Sequence, residues 1–190
     1  MNIVVFFSGT GTNLQSILQN EEKLNYKVIS TFTNNPDASG IDISKNFNVD
    51  CKILDHKKFD SREKFDEEIN VYLQKLNPDY VILAGYMRIL SNFLVEKWKQ
   101  KIINIHPSLL PKYPGLNTHE RALLAGDKLH GTTIHYVTSD LDAGPIIRQQ
   151  SIEIEPDDTI ESLTEKIKKL ENKIYPCLLY TSPSPRDQSG

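Results

Sequence analysis

The sequence predicts an α/β protein: an open, mostly parallel, Rossmann-like sheet with helices on both faces. Three observations carry that expectation. Ile3-Val4-Val5-Phe6-Phe7 is an unbroken β-branched and aromatic run, the pattern of a strand buried on both faces of a parallel sheet. The loop Ser8-Gly9-Thr10-Gly11-Thr12-Asn13 follows at once, and Leu14, Ile17 and Leu18 then keep helical spacing, so the unit is strand, glycine loop, helix. Further along, short apolar runs alternate with helical segments, the rhythm of parallel strands joined by crossovers. With 190 residues, 38% of them hydrophobic, one domain can bury its own core.

The glycine loop places backbone amides at a helix N-terminus, where they can hold an anion. A dinucleotide fingerprint would put a third glycine where Leu14 stands and an acidic residue where the chain has Thr33-Asn34-Asn35, and both are missing. A single phosphate monoester needs only Gly9 and Gly11, with Thr10, Thr12 and Asn13 as donors. The bland alternative is a tight turn that holds nothing.

Residues 27–33 read as a second strand, 41–48 as a short helix and 51–54 as a brief third strand. Phe65, Ile69, Tyr72, Leu73 and Leu76 line one face of a helix over 62–76, stopped by Asn77-Pro78-Asp79. A fourth strand over 80–84 exits through Gly85-Tyr86-Met87-Arg88-Ile89-Leu90 into a helix over 91–99. Ile102 and Ile103 begin a strand that Pro107 must end, because proline has no amide to give the ladder. Asn104 and His106, two apart, therefore point the same way at its end. Prolines 107, 111 and 114 stiffen the loop that follows.

A helix over 118–125 ends at Gly126, a strand of alternating character covers 130–137, and the acidic loop 138–145 leads into a strand over 146–154. The last helix, from about 159 to 170 and beyond, carries Lys166, Lys168, Lys169 and Lys173 around Glu171, a run that reads as a solvated face. Ligands of an open α/β sheet bind beyond the carboxyl ends of its strands. That rule puts the loops 8–13, 85–90 and 104–115 on one edge.

Composition narrows the function further. A net charge of −3 with no long basic run speaks against a nucleic-acid partner, and the substrate is expected to be small. Cys51 and Cys177 have no metal-ligand spacing, and Asp140 and Asp142 lack companion ligands, so no metal is expected. No apolar stretch reaches membrane-spanning length and no charged leader precedes Ile3, which suits a cytoplasmic protein. A lone histidine at a strand end is ordinarily structural, but Asp142 is a credible partner for His106.

Four segments together resemble the glycinamide ribonucleotide formyltransferases of purine synthesis. They are Ser8-Gly9-Thr10-Gly11-Thr12-Asn13, the run from Asn104-Ile105-His106-Pro107 through Lys112-Tyr113-Pro114-Gly115, His130-Gly131-Thr132-Thr133, and Leu141-Asp142-Ala143-Gly144-Pro145. The Asn-x-His-Pro-Ser-Leu-Leu-Pro run with a downstream Asp is shared by the wider 10-formyltetrahydrofolate-dependent formyltransferases. The phosphate loop and the Lys-Tyr-Pro-Gly ending point to the glycinamide ribonucleotide members.

The resemblance implies the formyltransferase fold over residues 1–176 and formyl transfer from 10-formyltetrahydrofolate, a co-substrate, to an amine, without a metal. It makes Asn104, His106 and Asp142 the catalytic trio, with Asp142 steering proton transfer through a water. It assigns Gly9, Thr10, Gly11, Thr12 and Asn13 to the ribose phosphate, and Pro107 and Glu171 to the amine substrate. Met87, Arg88, Ile89 and Leu90, with Asn104, Asp140, Leu141 and Asp142, would hold the folate, and His135 would support the trio from behind. Small molecules are the implied partners, and the protein would be a monomer or a homodimer.

After Pro176 the chain departs from that family. The run Cys177-Leu178-Leu179-Tyr180-Thr181-Ser182-Pro183-Ser184-Pro185-Arg186-Asp187 looks like translated sequencing-adapter read-through, so 177–190 is expected to be a non-native, disordered tail. Rival readings are a methionyl-tRNA formyltransferase, a formyltetrahydrofolate hydrolase, or a nucleotide-phosphate binding module without catalysis. The first would want a basic RNA-binding extension and the second an extra domain ahead of this one. A pure binder has no use for His106 and Asp142 at the sheet edge.

Overall fold

In the computed structural model, which describes residues 1–181, the strands form one seven-stranded sheet. They are β1 (Asn2–Phe7), β2 (Lys27–Thr33), β3 (Cys51–Ile53), β4 (Tyr80–Leu83), β5 (Ile102–His106), β6 (Leu129–Tyr136) and β7 (Ile146–Glu153). Their order is β3-β2-β1-β4-β5-β6-β7; the first five are mutually parallel, and β6 runs antiparallel to both β5 and β7. The chain leaves β1 toward β2 on one side and returns to pair β4 on the other, so the strand order reverses between β1 and β4. That reversal opens a crevice at their carboxyl ends.

The helices are α1 (Thr12–Gln19), α2 (Gly40–Asn46), α3 (Arg62–Leu76), α4 (Asn92–Lys97), α5 (Thr118–Leu124) and α6 (Ile160–Thr181). Alternation along β1 builds both layers. Ile3, Val5 and Phe7 join a core with Leu14, Ile17, Ile174 and Tyr175 from α1 and α6, whereas Val4 and Phe6 join Phe65, Ile69, Leu73 and Leu94 from α3 and α4. The helix expected over 62–76 takes those bounds, with Ser61 accepting from the Lys64 amide at its start and Asn77 in the left-handed region at its end.

The C-terminal boundary differs from expectation. α6 continues through Thr181, so the disorder expected from Cys177 onward does not begin there, and the rest of that tail lies outside the described residues. Pro176 falls inside this helix. Its cost is offset because the neighbouring turn is anchored by Tyr175, whose hydroxyl, fully buried, meets the carbonyls of Leu83 at 2.9 Å and Ile103 at 3.1 Å. One side chain thereby pins α6 to the paired strands β4 and β5.

Candidate active site

The site grows from the end of β5. Asn104 pairs with Leu83 of β4 on one side and His135 of β6 on the other, and His106 lies opposite Thr133. The antiparallel register brings His135 Nε2 to 3.2 Å from Asn104 Nδ2. His135 Nδ1 lies 3.0 Å from the Tyr136 carbonyl, which can only accept, so the proton is on Nδ1 and Nε2 accepts from the Asn104 amide. Burial holds this imidazole's pKa below the usual histidine value, in keeping with the neutral tautomer. Asn104 therefore has one amide hydrogen fixed on His135 and a second available to the cavity.

His106 is fixed in the same manner. Its Nε2 donates to the Tyr113 carbonyl at 2.8 Å, which turns Nδ1 toward Asp142 Oδ2 at 3.4 Å. Asp142 sits in the left-handed region, φ 51°, and its Oδ2 accepts the Gly115 amide at 2.8 Å, while Oδ1 stands 3.7 Å from His135 Nε2. The carboxylate thus touches both imidazoles, and the proline-stiffened loop after β5 folds back to clamp both His106 and Asp142. Gly144, two residues on, is required by close approach: a Cβ there would stand 1.8 Å from the Tyr136 carbonyl.

A cavity of about 600 Å³ opens over these groups. Met87, Arg88, Ile89, Leu90, Asn104, Asp140, Leu141 and Asp142, the residues expected to hold a folate, all line it, together with Leu83 and Val95. Apolar walls with a few convergent polar groups suit a flat heteroaromatic ligand. The Arg88 guanidinium lies over the Phe65 ring at 5.3 Å, so this residue's charge is engaged by the protein itself. His106, Pro107, His135 and Glu171 line the same space.

Of the residues expected to hold a phosphate, Asn13 reaches that lining, and Gly9, Thr10, Gly11 and Thr12 lie outside it. Gly11 caps α1 with φ 76°, and a Cβ there would meet the Gly40 Cα at 2.9 Å, so the loop's shape depends on glycine. α1 has no side-chain cap, which leaves amides of its first turn open to an anion. Ser8 ties this loop down: its hydroxyl donates to Asn34 Oδ1 at 2.6 Å and accepts the Met87 amide at 2.8 Å.

Glu171 departs from its sequence reading as a solvated charge. It is 7% exposed, accepts from Asn13 Nδ2 at 3.1 Å, and faces Thr132 Oγ1 at 3.3 Å. Thr132, His119, Glu120 and Lys168 were invisible as site residues in the sequence. Thr132 is buried behind the cavity, and the other three line it. His119 Nδ1 lies 3.0 Å from His130 Nε2, and desolvation by burial keeps both imidazoles low, His130 at about 4.

The fold and this edge define a class. A formyl transferase family model matches residues 1–179, and the chain belongs to that family. Within it, the chain falls with the phosphoribosylglycinamide formyltransferases. It is 42% identical to that enzyme of Escherichia coli K12 over 94% of this chain and 85% of the relative, and 40% identical to that of Haemophilus influenzae over 93% and 84%. The solved phosphoribosylglycinamide formyltransferase of Coxiella burnetii superposes with a TM-score of 0.91 at 44% identity, covering 95% of this chain and 85% of that one.

Proposed function

We propose that this protein transfers the formyl group of 10-formyltetrahydrofolate to the amine of glycinamide ribonucleotide, a step of purine biosynthesis. The observation that carries this reading is the convergence of Asn104, His106 and Asp142 at one mouth, between an open helix N-terminus and an apolar cavity. The cavity residues 87–90 and 140–142 take the folate, which supplies the activated formyl carbon when bound. Gly9 to Asn13 take the substrate phosphate at the amides of α1.

The chain's own groups then act on the reacting atoms. The free Asn104 amide hydrogen donates to the formyl oxygen as the amine nitrogen bonds to the formyl carbon and negative charge gathers on that oxygen. His106, with Nε2 held on the Tyr113 carbonyl, gains or gives its exchangeable proton at Nδ1, on the side of Asp142. Asp142 receives the proton released by the attacking nitrogen, directly or through a water, and the folate nitrogen takes one back as its bond to carbon breaks. Buried walls around the trio keep bulk water from competing for the formyl group.

Optical assay of formyl transfer from 10-formyltetrahydrofolate to glycinamide ribonucleotide tests the reading. Turnover that vanishes in His106→Ala supports it. Folate binding with no transfer to this amine would refute the acceptor.

A further inference from the structure

Glu171 is a buried carboxyl group with no ion-pair partner among the described residues. Its surroundings are short of one hydrogen. Thr132 has a single hydroxyl proton and lies closer to the His106 carbonyl, at 2.9 Å, than to Glu171 Oε1, at 3.3 Å. With that proton on the carbonyl, the Thr132–Glu171 contact is a hydrogen bond only if the carboxyl oxygen carries a proton of its own. Asn13 Oδ1, on the side chain whose amide donates to Oε2, is buried with no partner at all. Desolvation by burial acts in the same direction and outweighs the Asn13 and Thr132 hydrogen bonds and the charge of Lys168, pushing this group up to about 7.

Its position gives that proton a use. Through Asn13, Glu171 is joined to the phosphate loop; through Thr132, it is joined to the backbone of His106. A substrate with its phosphate on the loop and its amine beside His106 passes over this carboxyl group.

We propose that Glu171 is a neutral carboxylic acid in the free protein and is the group that carries the ammonium proton of the amine substrate. The second half rests on the acceptor reading above. Below neutral pH the free acid and the free ammonium hold two protons between them, and in the complex the pair holds one. That proton sits on nitrogen as an ammonium–carboxylate pair or on Oε as the amine with the acid, and the other leaves to solvent. The amine-with-acid form has the lone pair that attacks. Only N–H and O–H bonds change in this step.

Other titratable groups do not replace it. On its own helix Lys168 favours the ionised carboxyl group and Tyr175 is held protonated by full burial. α5 brings His119 and Glu120 to the cavity, β6 brings His135, and β5 brings His106. α1 brings no titratable side chain.

Carbon-13 NMR of the full chain labelled at glutamate Cδ, without substrate, tests the first half. The resonance missing from Glu171→Gln is expected to titrate near neutral pH, whereas ordinary glutamates titrate at about 4.3. A Glu171 already ionised at about pH 5 overturns the proposal, whatever the protein binds. Calorimetric titration of glycinamide ribonucleotide in buffers of different ionisation heat tests the second half. With an α-amine ordinarily at about 7.7–8.0, the proton exchange of the wild type swings by about 1.6 protons between roughly pH 6 and 8.5, and that of E171Q by about half as much. Equal swings refute the carrier role. Absence of binding refutes it together with the acceptor reading, and the NMR titration still decides the neutral acid by itself.

Discussion

Removal of one oxygen atom measures how firmly α6 is seated. In Tyr175→Phe the ring stays and its packing with Ile3, Val5 and Ile174 survives, but the hydroxyl between the Leu83 and Ile103 carbonyls is lost. Those carbonyls face a fully buried position, so water has no easy route to replace the donor. An acceptor left unsatisfied in such a place costs about 1–3 kcal/mol. Taking about 2 kcal/mol, and roughly 2–4 °C per kcal/mol for a chain of this size, the melting temperature should fall by about 4–8 °C. Urea unfolding monitored by circular dichroism gives the free energy directly. Turnover at 20 °C should change far less than stability, because Leu163, Ile167 and Ile174 still bury the helix face that carries Glu171. An unfolding free energy within about 0.3 kcal/mol of the wild type would refute the pin between β4 and β5.

Three further outcomes follow from the site. Asn104→Ala removes the donor proposed for the formyl oxygen and should slow turnover on the order of a hundredfold or more, about 3 kcal/mol of barrier, with the melting temperature nearly unchanged; near-normal turnover would sink that role. His135→Gln keeps an acceptor for the Asn104 amide and should be less impaired than His106→Ala in the same transfer assay, equal impairment being the contrary result. Glu171 has a folded pKa near 7 against an unfolded value near 4.5, so the folded state binds more protons in that window and its stability falls as pH rises through it. Relative to E171Q, the wild type should lose on the order of 2–3 kcal/mol between those limits, and parallel stability curves would show that the carboxyl group is not held neutral.

Much of this was legible in the sequence because it rests on local pattern. The unbroken run of β1 requires cover on both faces, the spacing of Phe65, Ile69 and Leu73 requires a helix with one buried side, and Pro107 requires β5 to stop beside Asn104 and His106. The roles attached to the trio came from motif resemblance, since a histidine at a strand end has no local pattern that marks it as catalytic. What stayed hidden depends on tertiary approach. Glu171 sits among lysines and reads as surface, yet the rotation of α6 turns that position toward Asn13 and Thr132. The Tyr113 carbonyl on His106 and the Gly115 amide on Asp142 are backbone groups, which no side-chain pattern announces. The helical turn through Thr181 was masked by a proline and by a Ser/Pro-rich composition downstream, against which a single anchored tyrosine decided the outcome.

The Ser8 hydroxyl has a wider consequence. It spends its one proton on Asn34 and a lone pair on the Met87 amide, so the loop proposed to meet the phosphate and the loop proposed to wall the folate share one fastener. Neither loop can be reshaped alone. A variant selected for a bulkier donor, or for an acceptor with a different anionic end, inherits the displacement of both, and changes in preference for the two substrates should be correlated along any mutational path that passes through this residue.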